Sequence, residues 1–209
     1  MSVLKFNPRN AVLLLIIVAM AILRVASFSG WGPLTVFTPL GAMALFGGAY
    51  FNGNVKPFAF PLLTLFISDV IVMNMFFSGS EYRTGLLYSG WVWTYLAFAL
   101  MTIAGKLIIH SKEEKFINIV IAGRRFNFSM ITLKVGTAVI VSTLIHWLVS
   151  DIGGCIADNK FTFSLYVQRL ITAIPYELQF LYGTAFFSAL LFGGFELLQK
   201  RYTVLKPAV

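Results

Sequence analysis

The chain has little with which to do covalent or metal chemistry. It carries one cysteine, Cys155, in 209 residues. A single thiol excludes an intrachain disulfide and any multi-cysteine metal site. Two histidines, His110 and His146, are too few for a histidine-rich metal centre. Neither the H-E-x-x-H zinc motif nor the G-x-S-x-G nucleophile elbow occurs, and there is no P-loop Gly-Lys-Ser/Thr. Without a nucleotide site, any active transport must draw its energy from a gradient or a partner protein. His146 with Asp151 is the one base-and-orienter pair to weigh. The two are five apart, roughly 140° around a helix, so they meet only if the helix ends between them. The expectation is therefore a protein that is not an enzyme and needs no cofactor or metal.

Charge is scarce too. Charged residues make up 11% of the chain, against about 25% in a soluble domain. Hydrophobic residues make up 58%, and the mean hydropathy is +0.84. The net charge of +8 is scattered between apolar runs, which argues for topology signals rather than a nucleic-acid surface. The expected class is an all-α integral membrane protein, a single six-transmembrane-helix bundle over residues 1–209.

The spans are expected at about 11–27, 34–51, 57–77, 86–109, 131–150 and 175–199, each near the 17–25 residues a bilayer needs. The first could pass for a signal peptide, with Ala19-Met20-Ala21 as its cleavage site; the five spans that follow favour a retained helix. Residues 110–130 are the most charged stretch. Phe116–Ala122 within it is too short to cross and is expected at the surface. Phe161–Ile174 is expected as a short interfacial helix ahead of span six. With the N-terminus inside, twelve Lys and Arg residues fall on the inner side, and Arg83, Lys160 and Arg169 on the outer. The positive-inside rule then puts both termini in the cytoplasm. There is no internal repeat, and no pair of broken segments of the kind found in inverted-repeat transporters.

The second span is expected to be the central packing post. Gly41, Ala44 and Gly48 recur at helical spacing, and Gly47 and Ala49 widen that smooth face. Pro39 falls in its first turn, where a missing N–H costs little. The ionisable residues within the spans gather toward the outer half: Arg24, Asp69, His146 and Glu177, with Asp151 at the end of span five. The tryptophans share the asymmetry. Charges in lipid mark a pathway, a pocket or a partner. Arg24 and Asp69 either neutralise one another or leave Arg24 to hold a ligand's carboxylate or phosphate. Ala138, Ser142, His146 and Ser150 form a stripe along span five. A helix N-terminus at Pro175 would aim partial positive charge at the same region. The expected site is an aromatic-lined hollow open to the outside, with Trp31 in the first outer loop, Trp91 and Trp93 near the outer end of span four and Trp147 near that of span five.

Several of these residues sit in recognisable strings: Arg24; Phe37-Thr38-Pro39-Leu40-Gly41-Ala42; Ala44-Leu45-Phe46-Gly47-Gly48-Ala49; Ser68-Asp69; His146 to Gly153; Ala173-Ile174-Pro175-Tyr176; and Leu191-Phe192-Gly193. The chain resembles the uncharacterised bacterial six-span proteins grouped as substrate-binding (S) components of energy-coupling-factor transporters. It departs from that pattern at Val36 and Cys155, and Ala19, Ala21 and Ala26 do not repeat by four. The resemblance implies an S-component-like fold in a bacterial cytoplasmic (inner) membrane. It also implies a small vitamin- or nutrient-type substrate bound from outside, and a membrane scaffold subunit with an ATPase pair as partners. The candidate substrate-binding residues are Arg24, Trp31, Thr38, Asp69, Trp91, Trp93, His146 and Asp151. The competing expectation is a structural or assembly membrane protein with no small-molecule ligand, its outer polar groups serving as interhelical glue.

Overall fold

A computed structural model describes residues 11–12, 15, 18–19, 22–26, 37–51, 53–81, 83–109, 116–121, 124–157 and 161–202, with backbone alone for Phe60, 116–121 and 124–129. Residues 11–12, 15, 18–19 and 22–26 are helical, within the expected first span. Five helices follow: α1 (Leu40–Tyr50), α2 (Lys56–Phe76), α3 (Trp91–Ile109), α4 (Met130–Ala157) and α5 (Phe163–Arg201). The chain is predominantly helical, and α2 to α5 are each long and apolar enough to cross a membrane.

α1 is the packing post, but it is not a full span. Leu40 to Ala49 are all buried. Eleven residues reach only about 16 Å at the helical rise, half of a hydrocarbon core about 30 Å thick. Phe37 and Thr38 ahead of it are not helical. The smooth face does what small residues allow. A Cβ on Gly48 would lie 2.0 Å from the Thr102 carbonyl oxygen, and one on Gly105 would lie 2.5 Å from that of Leu45. The α1 and α3 backbones therefore touch, and α1 also packs on α2, α4 and α5. Rings seal its lower end: Phe46 meets Phe192 and Phe195 edge-on at 5.3 and 5.5 Å.

α2 opens with Pro57 in its first turn and carries Pro61 just inside. A hairpin, β1 (Arg83–Thr84) with β2 (Leu87–Tyr88), joins α2 to α3. It turns through Gly85 at φ 71°, a left-handed value that suits glycine. Arg83 donates to the Gly85 carbonyl and to Asn74 Oδ1, both at 2.8 Å, and so ties the turn to the end of α2. Helix α3 therefore starts at Trp91, five residues later than the span expected from residue 86.

Two further expectations are corrected. β3 (Phe116–Ile121) and β4 (Arg124–Ser129) form a second antiparallel hairpin, in register from Phe116↔Ser129 to Ile121↔Arg124. The fold is thus not purely helical. And the separate interfacial helix before Pro175 does not exist: α5 runs unbroken for 39 residues with Pro175 inside it. It starts at Thr162, whose hydroxyl oxygen accepts from the Leu165 N–H. Its first third is held against the end of α4, where Tyr166 donates to the Leu148 carbonyl at 2.7 Å and Trp147 Nε1 to that of Leu170 at 3.0 Å. No helix N-terminus therefore lies at Pro175, and Glu177 is mid-helix.

Candidate functional site

The expected polar residues that are described form two groups, one meeting α3 at Tyr95 and the other at Phe98. The first joins the opening helical stretch to α2 and α3. Arg24, only 8% exposed, is paired with Asp69, 3% exposed. Arg24 Nη2 donates to Asp69 Oδ1 at 2.5 Å, and Tyr95 donates to Oδ2 at 3.1 Å. Arg24 Nη1 donates to Ser68 Oγ, which bonds to the Thr64 and Leu65 carbonyls of its own helix. Both carboxylate oxygens are therefore engaged. Trp91 stands one turn before Tyr95 and meets its ring edge-on at 5.2 Å. Tyr88, in β2 beside this group, has its hydroxyl pushed well above the usual tyrosine range by burial and then by the Asp69 charge, and so stays protonated.

The second group joins α4 to α5. His146 Nδ1 lies 2.9 and 3.1 Å from the two Glu177 oxygens. Its ring stacks on Phe180 at 4.2 Å and 22°, and Phe98 of α3 meets it edge-on at 5.6 Å. Asp151, one turn beyond, is within electrostatic range of His146, Glu177 and Arg169. Its Oδ2 is buried with no hydrogen-bond partner among the described residues. His146 thus pairs with Glu177 rather than with Asp151.

This second group continues inward to the start of α1. Phe180 lies against Gly41, and so does Thr184, whose Cγ2 would be 2.9 Å from a Cβ there. Thr184 is fully buried, and its Oγ1 has no partner among the described residues. The first N–H groups of a helix have no intrahelical acceptor. Here the cap position is Pro39, with no side-chain cap, and Thr38 and Pro39 are both buried. A helix N-terminus with no side-chain cap among the described residues thus lies inside the protein, beside a hydroxyl that has no partner among them. Thr38 belongs to this place. Its backbone packs on Gly183, where a Cβ would lie 2.9 Å from the Thr38 nitrogen.

The remaining candidates divide. Trp93 packs on Gly153 of α4, where a Cβ would meet its own Cβ at 3.0 Å. Trp147 is committed to Leu170 and walls nothing. Trp31 lies outside the described residues. The serines of the stripe face no ligand, since Ser142 donates to Val139 and Ser150 to His146 within their own helix. The residues missed as partners were Glu177, Tyr95 and Thr184. Glu177 and Tyr95 had a signal, being polar within otherwise apolar spans. Thr184 had none, because the sequence does not show whether a threonine hydroxyl in an apolar run bonds back to its own helix or is left unpaired.

A groove of about 570 Å³ lies between the start of α4 and the latter half of α5, along Val135, Val139, Leu181 and Phe192, and none of the candidate residues lines it. No three His, Cys, Asp or Glu side chains gather as a metal site among the described residues. Across residues 4–206 the chain matches one family model, described as Family of unknown function (DUF6580). No curated protein and no solved structure matches it.

Proposed function

The chain belongs to that family of unknown function, and from the site itself we propose that it is the substrate-binding membrane component of a small-molecule importer, of the S-component type. The observation that carries this reading is the start of α1. Transporters place substrate at half-helix N-termini inside the bilayer, where free N–H groups and the helix dipole meet a polar ligand. Broken backbone at that depth is tolerated where protein or a cavity surrounds it. α1 begins in this way at Thr38–Pro39, with Thr184 Oγ1 unpartnered beside it and His146, Glu177 and Asp151 leading away from it. The substrate in this reading is a vitamin- or nutrient-sized polar or amphipathic molecule.

The wider reading follows the charge pattern. The opening helical stretch is the first of six spans, and α1 with the residues before it makes the second. Both termini are cytoplasmic, in a bacterial inner membrane, and the energy comes from a scaffold subunit and an ATPase pair. A second reading, a structural protein without ligand, is favoured by the Arg24–Asp69–Tyr95 group, in which both carboxylate oxygens already have donors. A thermal-shift screen of the purified protein against vitamins and metal ions separates the two. The importer reading expects at least one ligand to raise the melting temperature, and Thr184→Val to remove that rise while the protein stays folded. A silent panel, or a rise that survives both Thr184→Val and Asp151→Asn, would falsify it.

A further inference from the structure

The groove between α4 and α5 points to a use that neither polar group explains. Within this chain, helical glycines mark places where something else comes close. Gly48 faces Thr102, Gly105 faces Leu45, Gly153 faces Gly90 and Gly183 faces Thr38, all backbone to backbone. Gly41, Gly47 and Gly154 likewise face Thr184, Pro57 and Arg169. Gly136, Gly193 and Gly194 do not. A Cβ on any of them would meet nothing within 4 Å among the described residues. Glycine inside a helix costs about 1 kcal/mol against alanine, so three unused ones need another reason. Gly136 and Gly193 line the groove.

The groove's other features fit the same reason. Ala185, Ala189 and Gly193 lie four apart along α5, with both alanines exposed. That is a small-xxx-small surface, the kind on which membrane helices approach one another closely. Ser188 lines the groove too. It is 1% exposed, and its Oγ has no partner among the described residues. A buried hydroxyl left unpaired in an apolar setting is costly, and an incoming backbone or side chain would satisfy it.

We propose that this groove receives a transmembrane helix from a different polypeptide, one that carries small residues at four-residue spacing and a hydrogen-bonding group at the level of Ser188. An acyl chain would have no need of glycines, which serve the approach of a backbone. A second copy of this chain fits less well, because two concave surfaces related by a twofold axis leave a void between them, whereas a convex helix fills one. The surface is separate from the α1 site, so the proposal stands whether or not the importer reading does.

The test uses the full-length protein in phosphatidylcholine vesicles, with fluorescence energy transfer to labelled transmembrane peptides. One peptide has a lysine-flanked leucine helix with an Ala-xxx-Ala-xxx-Gly face and one serine; the control is all leucine. The expected result is at least tenfold tighter association of the first peptide. Gly193→Leu and Gly136→Leu should abolish that preference, and Ser188→Ala should reduce it several-fold. Both leucine variants place bulk in open space, so unchanged circular dichroism and thermal stability would show them folded. Equal binding of the two peptides, no binding of either, or undiminished preference in the leucine variants overturns the proposal. So does transfer between two labelled copies of the chain that Gly193→Leu abolishes, or labelling of the groove by a photoreactive phospholipid with no peptide preference.

Discussion

The two polar groups that meet α3, one at Tyr95 and one at Phe98, have similar ingredients and differ in how their carboxylates are used. In the Arg24 group one carboxylate serves two donors, and both of its oxygens are taken, while Arg24 Nε has no partner among the described residues. In the His146 group there are two carboxylates and one imidazole, and Asp151 Oδ2 is left over. The first ties the opening helical stretch to α2 and α3. The second runs through Phe180 to an uncapped helix start and an idle threonine. Charge in a low-dielectric interior is stable only when its bonding capacity is filled. A cluster whose carboxylate is filled is a clasp, and one with a carboxylate oxygen to spare has room in its chemistry for a guest.

That contrast is broken most severely by Arg24→Met. Removing one partner of a buried pair leaves the other uncompensated, so the loss expected is about 3–5 kcal/mol. Unfolding in mixed micelles, followed by circular dichroism, measures it. The double variant Arg24→Met with Asp69→Leu should recover at least half of that loss, because no buried charge then remains. Full loss in the double variant would mean that the pair is not the clasp described. Next in size is Tyr95→Phe, which withdraws one of the two donors on Asp69. A hydrogen bond to a charged group sets the expected cost at about 1.5–3 kcal/mol, toward the lower end for a partly exposed tyrosine.

Glu177→Gln should cost less, about 1 kcal/mol or under, since the amide oxygen can still accept from His146. Its use is to sharpen the comparison. If this variant proves as damaging as Arg24→Met, then the second group is also a clasp, and the difference drawn between them fails.

The sequence made the burial of α1 legible, because Gly41, Ala44 and Gly48 state their spacing openly. Its length was hidden. Hydropathy rises through Leu34, Val36 and Phe37 as readily as through α1 itself, and only backbone geometry shows the helix beginning at Leu40. The second hairpin was readable and went unread. Phe116–Ile121 and Arg124–Ser129 are two short runs rich in Phe, Ile and Val, parted by Ala122-Gly123, which is a hairpin signal. The charges around them drew attention to topology instead. Pro175 misled in the other direction. Proline ends helices in water, but a long helix among apolar neighbours can carry one. Depth in the membrane could be estimated along each span. Which of the candidate residues would meet could not be estimated. The His146–Glu177 contact spans 31 residues of sequence and depends on how far α5 extends before Pro175.

The smallest effect is the most informative. Asp151→Asn removes a charge whose Oδ2 bonds to nothing among the described residues, so folding gives up little. An unpartnered buried carboxylate is costly in itself, and the amide is cheaper to bury. The expected change in stability is within about 0.5 kcal/mol of zero, against several for Arg24→Met. The same substitution should reduce the response to any ligand found by thermal shift. A stability loss above about 2 kcal/mol would be the size expected when a buried polar network is broken. It would make Asp151 a structural partner of Arg169 or His146 rather than spare capacity. A negligible loss with ligand response intact would leave Asp151 outside the site and move the weight of the importer reading onto Thr184 and the start of α1.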